Sequence, residues 1–308
     1  GDQGDGADIS GVELALITAT DLTVETTGSS GAIKTGSGIT DTNTENITGT
    51  FKIASGGDLT SSADGISTAG VLSIAAGGSV DLNGSITASQ GFNSTGTAFD
   101  NTGGAITTTD SAITIDHSGA VKVSGALSSG TGDVDIDSTG STIALNNSIK
   151  TTSGKVSLDA SGKTTVADAG DVTTTTGKVV FGADRTGSLL TSGDVTTSGG
   201  DVQFAQSMVL GKDVSIDTGE TSAGNVLFSS TVATGDNNLT LDAGSAGNIT
   251  AASSITGGGA MVVTDGAVQK YSGAITVDSL DIKDATTSVT LDGAVTTETT
   301  LDINSGGT

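Results

Sequence analysis

The chain is predicted to be an all-β parallel β-solenoid, a stack of coils of about 23 residues that each hold about three short strands. Three observations predict it. A motif returns at near-constant spacing: GDVDIDS from Gly132, GKVSLDA from Gly154, GKVVFGA from Gly177, GDVQFAQ from Gly200, GNVLFSS from Gly224 and GNITAAS from Gly247. Its starts lie 22, 23, 23, 24 and 23 residues apart by subtraction, and a drift of one residue is what the corners of a coil absorb. Within one period the apolar residues alternate in three clusters, Val202 and Phe204, Met208 and Leu210, Val214 and Ile216, separated by Gly, Ser, Asn and Asp. Alternation of this kind marks strands with one buried face, and those separators mark turns. Finally, the 308 residues include 48 Gly and no Pro, Cys or Trp, and only 34% are hydrophobic. Such a supply fills a narrow column of Val, Ile, Leu and Phe, not a thick globular interior.

The elements follow in order. Residues 1–10, GDQGDGADIS, lack apolar periodicity and read as a flexible or exposed lead-in. GVELALITATDLTVE, from Gly11 to Glu25, is the most hydrophobic early run and reads as the first coils, an end cap, or an edge strand that joins a neighbouring subunit. The runs from Val71 and Ala105 keep the alternation with less regular spacing, and the stretch 132–255 is the most regular. From Gly273 the alternation persists but the spacing shortens, which admits coils of two strands. Residues 11–308 therefore read as a single solenoid with irregular ends, roughly 13 coils at that period. Glycines at the corners are expected to take positive φ, and the missing proline suits strands hydrogen-bonded on both sides.

Competing folds fit less well. A helix would require apolar residues at i, i+3, i+4 and i+7, and Gly and β-branched residues disfavour it. A sandwich or barrel uses antiparallel hairpins whose strands need not resemble one another at fixed offset.

The charge is one-sided: 11 Lys and Arg against 35 Asp and Glu, net −24. This disfavours nucleic acid and anionic membranes as partners. No run of about 18 apolar residues is present to span a bilayer. Without cysteine there is neither a disulfide scaffold nor a thiolate metal site. The start at Gly1, with no basic segment followed by an apolar one, reads as a mature or excised piece of an exported protein.

The run GDVTTSGGDVQF from Gly193, with NNLTLDAGSAGNITAASSI from Asn237, resembles the repeat region of filamentous haemagglutinin-like bacterial surface adhesins. The resemblance is best over Gly132 to Ile255. It implies a right-handed parallel β-helix, an extracellular or cell-surface location, and a structural or adhesive role without catalysis. Neither a secretion-domain motif nor a barrel anchor accompanies it.

Residues with chemical potential are few. His117 is the only histidine and reads as a surface residue at a strand end, with no triad partners beside it. A polysaccharide-degrading β-helix needs paired carboxylates or basic groups in a groove and aromatic platforms, yet Tyr271 is the only Tyr, Arg185 the only Arg, and Trp is absent. Asp133, Asp135 and Asp137 alternate along one face about 6.8 Å apart, too far apart for one strand to chelate calcium well; weak calcium binding between coils or chains is the residual expectation. Thr107 with Thr109 and Thr173 with Thr175 suggest an ice-binding array, but the counterparts of the latter pair are Thr196 and Ser198, then Thr221 or nearby turn residues, so the register lapses. Sequons begin at Asn46, Asn83, Asn93, Asn146, Asn238 and Asn248 and carry no functional inference in so threonine-rich a chain. No catalytic, cofactor-binding or metal-binding residue is assigned. The expected function is a stiff fibre of an adhesin, sheath or matrix, with lateral glycan or ice binding as the alternative. Its expected partners are further copies, end to end or side by side, or cell surfaces reached through regions outside this chain.

Overall fold

In each coil the strands pair in parallel with the strands of the coils before and after. The structure is a computed structural model and describes residues 7–26, 28, 31–36, 38–220 and 224–305. It is a parallel β-solenoid of about 12 turns, whose residues fall into two units, Gly1–Gly154 and Lys155–Thr308.

In the first unit, wall one consists of Leu22–Glu25, Thr50–Ser55, Val71–Ala76, Phe92–Gly96, Ile113–His117 and Val134–Ser138. Paired residues step by 21 from Phe92 to Ile113 and again from Ile113 to Val134. Wall two runs from Ala7–Ile9 to Ile143–Leu145, and wall three from Ile66–Thr68 to Ile149–Lys150. The first two coils carry single helical turns, Gly11–Leu14 and Asp41–Thr44, where later coils have a third-wall strand, and in the second coil Ile39 alone still bridges to Ile66. Among the described residues helix is confined to these two turns of a nearly all-β fold, and Leu22–Glu25 of the early hydrophobic run is a strand. The cause of the turns is local: Ser10 N–H donates to Glu13 Oε2 at 3.0 Å and Thr40 N–H to Asn43 Oδ1 at 3.0 Å, the reciprocal half of a capping box. Leu14 is buried while Val12 and Leu16 are exposed.

In the second unit, Val156, Val179, Val202, Val226 and Ile249 lie in one inward row of wall one. These are the third residues of the aligned motif, so the period read from the sequence is the pairing register. Beside them Phe181, Phe204 and Phe228 stack with centroids 5.2 and 5.1 Å apart and planes within 1° and 9°. Wall two holds Lys163–Val166, Ser188–Thr191, Ser207–Leu210, Val232–Gly235 and Ile255–Gly257, and wall three Val172–Thr173, Val195–Thr196, Val214–Asp217, Leu239–Asp242 and Ala260–Asp265. Beyond Gly273 the corner between these walls disappears. Ile275–Ile282 pairs with wall two through Ile275 and with wall three through Ser279 to Ile282, leaving two strands per turn.

The glycines that open each repeat do not have the expected positive φ, which occurs instead at positions such as Gly65 and Gly244. They are small because coils touch there. A Cβ on Gly154 would lie 1.8 Å from the Gly132 carbonyl oxygen, and one on Gly200 2.0 Å from that of Gly177. Gly200→Ala is therefore expected to cost about 1–3 kcal/mol by forcing two rungs apart, measured by urea unfolding against wild type. An unchanged midpoint would show that the rungs yield freely.

A second device sits at the same corner. The buried hydroxyls of Ser129 and Thr151 donate to the carbonyls of Gly132 and Gly154 in the first unit, at 2.7 and 2.8 Å. Thr174 and Thr197 do the same to Gly177 and Gly200 in the second, at 2.7 and 2.6 Å. Each buried hydroxyl finds a carbonyl partner where the chain turns from wall three to wall one.

Candidate interaction surfaces

The inward rows are filled, so contact chemistry lies on the outward rows, and register decides what each presents. In the second unit, wall three is acidic. Thr173 and Thr196 are followed by Asp217, Asp242 and Asp265 in one row. Burial, with Asp242 and Asp284 nearby, raises the Asp265 carboxyl above its usual range despite a stabilising Gly266 N–H. Wall two is different: Leu190, Val209, Ala233, Thr256, Thr276 and Thr296 form an uncharged row. The row beside it begins with Lys163, Ser188 and Ser207 and continues through Thr231 and Ser254 to Ala274. In the first unit the corresponding wall-two row holds Lys34, Thr60, Asp81, Asp100, Lys122 and Ala144. There Lys122 pairs with Asp100 at 2.8 Å, and partial burial with two neighbouring carboxylates raises Asp81.

Wall one of the second unit carries a shallow groove of about 360 Å³ lined by residues that include Lys178, Asp201, Gln203, Asn225, Leu227 and Asn248. Asp201 Oδ1 accepts from the Asn225 backbone and side-chain amides, both at 2.8 Å, and Asn225 Oδ1 accepts from Asn248 N–H at 3.0 Å. Lys178 Nζ donates to Gln203 Oε1 at 2.8 Å. The polar groups are held in place along the coil axis, with Leu227 as an apolar platform. Asp201 is the only carboxylate among the lining residues, whereas general acid and base hydrolysis of a glycoside uses a pair.

His117 is not at the surface. It ends the strand Ile113–His117 and is fully buried, because alternation places it on the same side as Ile113 and Ile115. Its Nε2 lies 3.0 Å from the buried Ser94 hydroxyl, and its ring 5.4 Å from that of Phe99. Gly96, its register partner, leaves room for the ring. Burial lowers its pKa to about 4, against the opposing pull of Asp116. A Ser-His pair sealed in the column faces no solvent-exposed substrate.

Tyr271 is likewise buried, and its hydroxyl donates to Gln269 Oε1 at 3.2 Å; burial raises its pKa. Arg185 has its Nε 3.8 Å from the buried Asp159 carboxylate, which also accepts from Asp184 N–H at 3.0 Å. Neither is presented as a sugar platform or a free cation. Asp133, Asp135 and Asp137 flank the inward Val134 and Ile136 as alternation requires, with Asp137 beside Asp116 one rung away. Among the described residues, no group of three or more His, Asp or Glu side chains is placed to hold a metal ion. Likewise, no described helix is long and apolar enough to cross a membrane.

The threonine rows end as the spacing suggested, at different residues. Thr107 is followed by Ser128 and Lys150, and Thr173 by Thr196 and Asp217; Thr221 lies outside the described residues. The sequon residues Asn83, Asn93, Asn146, Asn238 and Asn248 are exposed and Asn46 is half-buried, although the amide of Asn238 is engaged by Asp213 Oδ2 at 3.1 Å.

Comparison with protein families, curated proteins and solved structures finds no match to this chain.

Proposed function

We propose that the chain is a non-enzymatic structural or adhesive fibre segment of a bacterial surface, acting outside the cell as a rod or filament subunit of an adhesin, sheath or matrix. The observation that supports this best is the parallel register within each unit: rung after rung is bonded along the coil axis through short strands with filled interiors. An architecture with so much repeated backbone and so few committed polar side chains suits distributed load rather than one reactive centre. In this reading the chain uses no cofactor, and calcium binds weakly at most, between coils or chains. Its partners are further copies, end to end or side by side, or cell surfaces met through other regions. Nucleic acid and membrane insertion play no part.

Negative-stain microscopy with light scattering, with and without millimolar calcium, tests it. Unbranched filaments with a regular axial repeat are expected for a polymer subunit and isolated short rods for a shaft segment; compact spheres would overturn the reading.

The wall-one groove favours a second reading, a lateral binding module for a neutral glycan, because its fixed amides flank Leu227. A glycan array tests that directly. Lysine and aspartate within the threonine rows weigh against the ice-binding version, which an ice-shaping assay checks.

A further inference from the structure

We propose that wall two of the second unit is the face through which two copies of the chain pack side by side, in antiparallel orientation, about a two-fold axis near Ala233. This rests on the reading that the chain assembles with itself and names the surface that does so.

Charge makes the selection. A chain of net charge −24 repels its own copies over most approaches, and the repulsion is strongest where carboxylates line up. In the second unit that is wall three, with Asp217, Asp242 and Asp265 in one row. The row from Leu190 to Thr296 on wall two presents no charge over six successive rungs. Its side chains are short or β-branched apart from Leu190, which leaves a flat surface with little rotamer entropy to lose on contact. The first unit, with Lys34, Asp81, Asp100 and Lys122 on the corresponding row, lacks such a face.

Orientation follows from side-chain size along the row. Lys163, beside Ser188, lies along one edge of the row, and Asp278 and Glu298, next to Val277 and Thr297, along the other, so these charges do not decide it. Parallel packing sets Leu190 against Leu190 and Val209 against Val209 and holds the two faces apart at that end. Antiparallel packing faces the larger Leu190 and Val209 with the smaller Thr276 and Thr256. An isologous contact of this kind brings a central residue against its own copy, and Ala233 has Leu190 and Val209 on one side, Thr256 and Thr276 on the other.

The area sets the strength. Six rungs at about 4.8 Å by three to four residues give a footprint of roughly 300 Å², well under the roughly 800 Å² per partner of a stable complex. Isolated chains therefore associate weakly, and chains joined end to end bind firmly because each adds a face.

The chain has no cysteine, so Ala233→Cys reports this contact cleanly. Under mild oxidation in moderate salt, which screens the acidic faces, Ala233→Cys is expected to form a disulfide-linked dimer about tenfold or more faster than the outward wall-one control Leu227→Cys. Adding Val209→Asp is expected to slow the linkage to the control rate. Equal rates for Ala233→Cys and Leu227→Cys, or a linkage indifferent to Val209→Asp, would overturn the proposal. Light scattering on the wild type separates the two levels: a mass above 29.6 kDa with equal cysteine rates removes this face and keeps self-assembly, and a monomer at all concentrations with equal rates removes both.

Discussion

Phe204→Ala is expected to cost about 3–5 kcal/mol and to open the middle coils of the second unit before any others. Phe204 is the central ring of three, with neighbours 5.2 and 5.1 Å away on its two faces. Removing it deletes two aromatic contacts, worth about 0.5–1.5 kcal/mol each beyond their buried area. The void cannot close readily. Val202 remains paired with Val179 before it and Val226 after it, and these ladders fix the rung spacing that a collapse would have to shorten. The cost therefore falls in the upper part of the range for such truncations. Because a solenoid's cooperativity is between neighbours, a single midpoint reports it poorly. Native-state hydrogen exchange at residues 202–204 and 226–228, with the first-unit strand Ile113–His117 as internal reference, is the measurement. A loss below about 1 kcal/mol would mean that the rings are not a packed column.

The second large effect is acid sensitivity of the first unit. His117 has its folded-state pKa depressed to about 4 from an ordinary 6.5, so the folded state disfavours the protonated ring. Stability is complete above about pH 6.5, declines as pH falls because only the unfolded chain takes up the proton, and levels off below about pH 4. The full difference is about 3 kcal/mol. Asp81 and Asp265, with pKa values raised chiefly by burial and also by nearby carboxylates, have the opposite sign: protonation favours the folded state. The histidine contribution is therefore isolated by difference. In Ser94→Ala/His117→Leu, which removes both buried polar partners, unfolding free energy is expected to lose its fall between pH 6.5 and 4 relative to wild type. Parallel curves would mean that the imidazole reaches water in the folded state.

The residues that repeat were legible from the sequence because a solenoid writes its register into its period. Val156, Val179, Val202, Val226 and Ile249 pair as the spacing of their motifs demands. Features present once or twice were less legible. The helical turns at Gly11–Leu14 and Asp41–Thr44 depend on S-x-x-E and T-x-x-N contacts within four residues, and these carry no period. His117 reads as a surface residue by type alone, whereas its two-residue offset from Ile115 points inward. The repeat-opening glycines are legible in position but not in cause, since contact between coils is a property of the stack and not of one turn. The difference between the acidic row of wall three and the uncharged row of wall two emerges only after the coils are aligned, because Leu190, Val209 and Ala233 are separated in the chain by charged turns.

The pairing of each rung with the next has a mechanical consequence. A coil occupies about 4.8 Å of axis but contains some 22 residues, or roughly 75 Å of extended chain. Tension along that axis loads the inter-rung bonds in the direction in which they open, so coils yield in succession from an end. Each yielding event releases many times the length that it occupied. Under sudden pull such a stack lengthens stepwise and dissipates work, and it recovers by rewinding onto the rung that remains.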